Sequence, residues 1–247
     1  MPTGISFDRV ADRYDDTRGG LARGVTFAAD IRPWLATGTV LEVGTGTGVV
    51  ATALAGHETP VVGVDISPLM ARQAYERIGT RVALGDARAL PVGDGSIGTV
   101  LLVMVLHLVG DIRAALAEAA RVLRPDGRVV AVHGVPASTG TDLDEALAPL
   151  VSFRRHRSDD DDTILRAAEA CGLRRVHQGG TTPIGQARTP NTVADEIEER
   201  IWSYLWRLTD ADWQAQAVPA LSALRALPEP DRARASTQWH RLSVFGR

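Results

Sequence analysis

Between residues 39 and 133, short apolar runs alternate with segments of helical pattern, and this alternation constrains the fold more than any other feature of the chain. TVLEVG, PVVGVD, RVALGD, IGTVLLVMV and RVVAVHG are apolar at successive positions, so each predicts a strand whose two faces are both covered. Residues 47–55 read as a helix. Ser67 reads as the cap of another, with Pro68 at its first position, where a missing N–H costs nothing. Asp111 opens an amphipathic helix with Ile112, Ala115, Leu116, Ala119 and Val122 on one stripe, and RPDG reads as the turn that ends it. Buried strands separated by helices predict an α/β protein with a mostly parallel sheet, helices on both faces and right-handed crossovers.

Beyond Gly134 the pattern weakens. A helix is expected over residues 163–171 with Gly172 as its stop, and a sixth strand over 173–177. Residues 192–208 predict one long amphipathic helix with Ile197, Ile201, Leu205 and Leu208 in register. A shorter helix follows over 219–227, and HRLSVFGR reads as a closing strand. The acid run 159–162, behind Arg154, Arg155, His156 and Arg157, reads as a solvated loop. The organisation expected is one domain over 1–247. It has N-terminal helices within 1–33, a core over 39–133, a helical insertion over 181–230 and the closing strand over 239–246.

Composition narrows the function classes. The chain has 247 residues, 45% hydrophobic and 23% charged, the mix of an ordinary globular protein. A net charge of -3 argues against a general nucleic-acid binder. Every basic Lys+Arg position is arginine, spread along the chain, which reads as a coding bias. Cys171 is the single cysteine, so neither an intrachain disulfide nor a cysteine zinc cluster can form, and no metal site is expected. The acid-rich start lacks the apolar core of a signal peptide, and no apolar run approaches the roughly 20 residues that span a bilayer. A cytoplasmic protein acting on a small molecule, with no nucleic-acid or membrane partner, is the expectation; the oligomeric state is left open.

The chemistry is concentrated in Val40-Leu41-Glu42-Val43-Gly44-Thr45-Gly46-Thr47-Gly48, a strand feeding a glycine loop that feeds a helix. Glycines permit positive φ and let a ligand lie against bare backbone, and the carboxyl edge of such a sheet is where open α/β folds bind ligands. The spacing is G-x-G-x-G, with Val49 next, and an acid stands two residues before the first glycine. A dinucleotide fingerprint requires G-x-G-x-x-G. Asp65 ends the second strand about 20 residues on, the ribose-binding position of nucleotide folds. Asp86 ends the third strand, where it could accept from an adenine amino group.

LEVGTGTG, VDIS, GDARALP, MVLHLVGD and RVLRPDGRVV together resemble the motifs of class I S-adenosylmethionine-dependent methyltransferases, in particular the ubiquinone/menaquinone-type branch, and FDRVADRYDDTR resembles that family's N-terminal lid helix. The resemblance runs from Phe7 to Val132. It departs from the family where Asp126 replaces the first glycine of a proline-glycine-glycine turn and where Gly98 replaces an acid opening the fourth strand. It implies a Rossmann-like, seven-stranded, mostly parallel sheet with a helical lid inserted before the last strand, and S-adenosyl-L-methionine as cofactor. By resemblance, Glu42 orders the loop and reaches the methionine amino group through water, and Gly44, Thr45, Gly46 and Gly48 flank the methionine. Asp65 binds the ribose, Ile66 packs on the adenine, and Asp86 and Ala87 hold its edge. Met104 offers a backbone carbonyl, and Tyr14 and Arg18 close over the methionine end.

The implied activity is methyl transfer to an O, N or C atom of a small organic molecule. A cofactor-binding protein without transferase activity and, more distantly, a nicotinamide oxidoreductase are the alternatives. Positioning a nucleophile in line with an activated methyl supplies much of such a rate, and a base is needed only if the acceptor must lose a proton. His107, just past the fourth strand, and His133, ending the fifth, are the candidate catalytic residues, each with a packed histidine as the alternative. Trp202, Tyr204, Trp206 and Trp213 gather aromatics in a chain that is 5% aromatic, with Trp202 and Trp206 expected on one helical face. They are candidates for an apolar wall of the acceptor pocket, with Arg200 or Arg207 meeting an acidic group, or for core packing of the insertion.

Overall fold

The computed structural model describes residues 7–55, 59–150 and 159–247. The apolar runs form β1 (Val40–Val43), β2 (Val61–Asp65), β3 (Val82–Leu84), β4 (Ile97–Val103) and β5 (Leu123–Ser138). The pairs β1/β2, β2/β3, β1/β4 and β4/β5 are all parallel. With β6 (Arg174–Gly180) and β8 (Arg234–Gly246) the strand order is β3-β2-β1-β4-β5-β8-β6, and β8 is antiparallel to β6. The order reverses between β1 and β4, so the carboxyl ends of those two strands diverge into a crevice.

The chain divides into two compact units, the first of residues 7–134, 159–182 and 240–247 and the second of 135–150 and 183–239. In the first, β1 and β4 are buried over nearly their whole length, which is why their sequences carry no alternation. The helices are α1 (Tyr14–Arg18), α2 (Gly20–Ile31), α3 (Val49–Leu54), α4 (Pro68–Ile78) and α5 (Ile112–Val122). Ser67 caps α4 by accepting from Met70 N, and Asp111 caps α5 by accepting from Ala114 N, as their sequence positions predict. The helix Asp161–Ala170 is capped by Asp160, and Gly172 follows it at φ 76°.

Several expectations are corrected. The RPDG turn is absorbed into β5 as a bulge, because the pairing passes from Ile97↔Leu123 to Thr99↔Arg128 across one residue of β4. The helix expected from residue 47 starts at Val49, since Gly48 at φ 78° is its left-handed cap. The closing strand begins at Arg234, and the insertion is not wholly helical. It contains β7 (Ile184–Arg188), antiparallel to Arg234–Gln238 of β8, which raises the strand count from seven to eight among the described residues.

The long helix expected over 192–208 is broken. Helix Pro190–Glu198 ends where Arg200 adopts φ 52°, with Arg200 N donating to Ile197 O at 3.0 Å and Ile201 N to Glu196 O at 2.9 Å. This double bond around a left-handed residue closes a helix, and a 3₁₀ turn, Ser203–Arg207, follows. Trp202 and Trp206 therefore share no helical face. The Trp202 indole donates to Glu196 Oε2 at 2.8 Å, and Glu196 is also ion-paired to Arg188. Trp206 Nε1 donates to the Arg200 carbonyl at 2.6 Å, and the Arg200 guanidinium lies 4.4 Å from the Trp213 ring centre. These aromatics are tied into their own unit.

Candidate cofactor site

The three loop glycines share positive φ but do different work. Gly44 (φ 68°) cannot carry a Cβ, which would collide with the Val105 side chain, and Gly48 sits against the Ala74 backbone of α4. An added Cβ at Gly46 (φ 56°) would meet nothing within 4 Å, so this glycine leaves bare backbone toward open space. Gly48 lines no described cavity; its glycine is required by the approach of α4.

Glu42 on β1 lies behind the loop at 2% exposure. Its Oε2 accepts from Thr45 Oγ1 at 2.8 Å and from Ala51 N at 3.1 Å, which ties the loop to the start of α3. Burial raises its pKa to about 8 against these two donors. Asp65, also buried, accepts from Gly46 N at 2.7 Å and Ser67 N at 2.8 Å, and burial raises its pKa. Asp86 has the opposite environment. Arg88 reaches both its oxygens, at 2.6 Å to Oδ2, and holds its pKa below the usual carboxylate range.

Two cavities meet at this edge, both bounded by Tyr14, Gly44, Gly46 and Met104. The first, about 740 Å³ including its open mouth, carries Asp65, Ile66, Asp86 and Ala87 over an apolar floor that includes Met70, Val103 and Leu108. The second, about 470 Å³ counted the same way, holds Glu42, Thr45, Arg18 and Arg23. Met104 takes φ 54°, a conformation uncommon for a side-chain-bearing residue, while its N–H donates to Val132 O at 2.7 Å.

Similarity to known proteins agrees with this geometry. A methyltransferase domain model matches residues 41–131. Demethylmenaquinone methyltransferase of Tropheryma whipplei is 37% identical over 135 residues, 50% of this chain and 55% of that protein, so the chain spans about half the length of this relative. Nocamycin O-methyltransferase of Saccharothrix syringae is 33% identical over 249 positions, covering 92% of this chain and 85% of that enzyme. The chain belongs to the class I S-adenosylmethionine-dependent methyltransferases. Among solved structures, a phosphoethanolamine N-methyltransferase of Haemonchus contortus, in complex with phosphomonomethylethanolamine and S-adenosylhomocysteine, shares the fold. Its TM-score is 0.58 at 19% identity, over 98% of this chain and 57% of that one.

The methyltransferase cofactor, S-adenosylmethionine, joins an adenosine to an amino-acid zwitterion through a sulfonium, and the two cavities match those ends. An apolar slot with buried acids suits a base and its ribose. A cavity lined by the carboxyl groups of Asp15 and Glu42 and the guanidiniums of Arg18 and Arg23 suits an ammonium and a carboxylate. Arg23 is the residue sequence reasoning missed. Among the described residues it has no ion pair; its Nη1 donates to Arg18 O at 3.3 Å and its guanidinium lies 5.0 Å from the Phe27 ring centre. Burial lowers its pKa, and the neighbouring Arg18 lowers it further against a raising effect of Tyr14. Its only sequence signal was an arginine one helical turn before Phe27 on an otherwise apolar helix face.

The N-terminal segment of this methyltransferase is pinned to the core by acids. Asp8 accepts from Leu69 N at 3.1 Å and from Ser67 Oγ at the start of α4. Asp15 accepts from Thr47 Oγ1 at 2.6 Å and pairs with Arg77. Tyr14 thereby lines both cavities, and Arg18 the second.

The two candidate histidines differ. His133 is fully buried within β5 and lines neither cavity. Its Nδ1 donates to the Asp159 carbonyl at 3.0 Å and its Nε2 meets Ser243 Oγ at 2.9 Å, so the packed alternative replaces the catalytic one. His107 stands on the loop after β4 and also lines neither cavity, although its neighbours Val105 and Leu108 line the first; its side chain is 14% exposed. The solvated acid loop is also corrected. Asp159 is fully buried, accepting from Gly134 N at 3.0 Å, and Asp160–Asp162 cap and open a helix. Arg154 to Arg157 lie outside the described residues.

Proposed function

We propose that this protein transfers a methyl group from S-adenosylmethionine to an O, N or C atom of a small organic molecule with an apolar or aromatic body. The observation that carries the reading is the junction of an apolar, acid-ended cavity with a charge-paired one at Met104. In this reading Asp65 accepts the ribose hydroxyls, Ile66 packs on the adenine and Ala87 bounds its edge. Asp86, already engaged by Arg88, offers only its remaining lone pairs to the adenine amino group. Glu42 and the loop from Gly44 to Gly46 face the ammonium, Arg18 and Arg23 the carboxylate, and Tyr14 covers the mouth. The bound cofactor supplies a methyl already activated on a sulfonium. The chain's own work is to place the acceptor in line with it and to exclude water. The second unit is proposed to set acceptor choice, with cytoplasmic small molecules as the substrate pool.

Calorimetry should detect binding of S-adenosylhomocysteine and none of NAD; the reverse would overturn the reading. Incubation with labelled cofactor and a metabolite extract should yield a product heavier than its precursor by one CH₂. Cofactor binding without any labelled product across extracts would leave a binding protein in place of a transferase.

A further inference from the structure

One edge of the first cavity is an ion pair, and the loop that carries it is held at both ends. After β3, Gly85 N donates to the Asp65 carbonyl at 2.9 Å, and a Cβ on Gly85 would collide with Pro91 and Val64. Ala89 N donates back to the Asp86 carbonyl at 3.0 Å, which closes a turn over residues 86–89 with Arg88 at its third position. The far end is fixed by α5: Glu118 Oε2 accepts from Leu90 N at 2.7 Å, and Arg121 Nη2 donates to the Leu90 carbonyl at 3.2 Å. The turn folds Arg88 back onto Asp86. Its backbone N–H and its Nε donate to Asp86 Oδ1 at 2.9 and 3.0 Å, and its Nη2 donates to Oδ2 at 2.6 Å. Their side chains are 25% and 27% exposed, and both residues line the cavity.

A lone carboxylate at that edge would attract an amino group and repel a carbonyl oxygen. The Asp86–Arg88 pair does neither strongly, because its charge is balanced and an acceptor stands beside a cation. The edge of adenine presents the amino donor on C6 beside the N1 acceptor. A 6-oxopurine presents an N1–H donor beside the O6 acceptor, so N1–H suits the carboxylate and O6 suits the guanidinium. The pair therefore accommodates either base, whereas the carboxylate alone would set an unbalanced negative charge against O6.

We infer that Arg88 sets the purine selectivity of this cavity, which takes a 6-oxopurine nucleoside thioether as well as the 6-amino one. The inference rests on the methyl-transfer reading and deepens it. S-adenosylhomocysteine that has lost its C6 amino group to a carbonyl remains a ligand, and so competes with the cofactor for the site. Arg88 takes no part in methyl transfer itself; its role is to balance Asp86 at the purine edge.

Calorimetry with S-adenosylhomocysteine and with S-inosylhomocysteine, its 6-oxo analogue, tests this without a methyl acceptor. The quantity read is the ratio of the two dissociation constants, inosyl over adenosyl. In the wild type the ratio should be no more than about tenfold, and a larger preference for the amino ligand would overturn the inference. Arg88→Met removes the cation and leaves Asp86 unbalanced, so the ratio should rise by about 10–100-fold. Asp86→Asn removes the negative charge and leaves the guanidinium, so the ratio should fall below the wild-type value. A pair that only holds the loop in shape would weaken both ligands together in each variant. An unchanged ratio would therefore sink the idea. Should Arg88→Met fail to fold, the wild type and Asp86→Asn still decide the matter. A wild type that binds neither ligand would instead overturn the methyl-transfer reading.

Discussion

Asp65 accepts two backbone N–H groups, from Gly46 and Ser67, on its two different oxygens, and so holds the glycine loop and the start of α4 against the end of β2. A ribose would meet a carboxylate that is already fixed and largely desolvated, where leaving hydroxyls without a charged acceptor is costly. Asp65→Ala should weaken S-adenosylhomocysteine binding by about 1–3 kcal/mol, read by calorimetry on a variant whose folded state is confirmed by circular dichroism. An unchanged Kd would remove Asp65 from the site. Glu42 offers a second test, this time of pH. Its pKa is raised to about 8 from an ordinary 4.5, so the folded state retains a proton that the unfolded chain loses. Its contribution to stability is therefore fully present below the unfolded value and is lost as pH rises through about 8. A ligand ammonium favours the ionised carboxylate, so binding at neutral pH should release a proton and tighten as pH rises toward 8. Calorimetry in buffers of different ionisation enthalpy should detect that release in the wild type and not in Glu42→Gln. Equal proton counts in both would show that Glu42 does not meet the ammonium.

At the level of elements, α2 reaches α3 because Gly24 has no side chain. An added Cβ would stand 2.6 Å from the Val49 carbonyl oxygen, a backbone atom that cannot swing aside. Gly24→Ala should cost about 1–3 kcal/mol of stability by thermal melting. It should also weaken cofactor binding, because Arg23 and the second cavity move with α2. A variant of wild-type Tm would mean that the two helices separate freely. This contact was illegible in the sequence: Gly24 lies in a helix where glycine signals nothing by itself, and its partner is a main-chain atom. The parallel core was legible because burial on both faces leaves a continuous apolar run, and the caps at Ser67 and Asp111 were legible because capping is local. The break at Arg200 was hidden because an arginine in the left-handed region carries no propensity signal, while Ile201, Leu205 and Leu208 keep an apparently helical spacing. Asp159 was misread for a related reason. Four consecutive acids look solvated, and only the distant Gly134, His133 and His107 reveal that the first of them is buried.

For the whole molecule, the division into two units makes separable expectations. The residues that bound both cavities belong to the first unit, so S-adenosylhomocysteine should protect amides of residues 44–47, 65–67 and 104–105 from hydrogen exchange and leave helix Pro190–Glu198 at its ligand-free rate. At a hundredfold excess over Kd the ligand should add about 2.7 kcal/mol to unfolding of the unit that binds it. The second unit carries most of the tryptophan, and its connection between β6 and β8 is far longer than the usual loop of about 4–6 residues. A chain that completes its parallel core without this segment has a reason to retain it, and acceptor choice is the function that family-wide cofactor motifs leave unassigned. Trp202 is the poorer probe, since it is buried against Glu196 and Arg188; Trp202→Ala should cost about 3–5 kcal/mol of stability. Trp206 is half-buried, with its indole donating to the Arg200 carbonyl, so Trp206→Ala disturbs less core than Trp202→Ala. If the second unit selects the acceptor, Trp206→Ala should raise the acceptor KM or alter acceptor preference while the Kd for S-adenosylhomocysteine stays constant. If Trp206→Ala and Trp202→Ala both lose only thermal stability and keep their acceptor kinetics, these aromatics are packing and selection resides with Val105, His107 and Leu108 of the first unit.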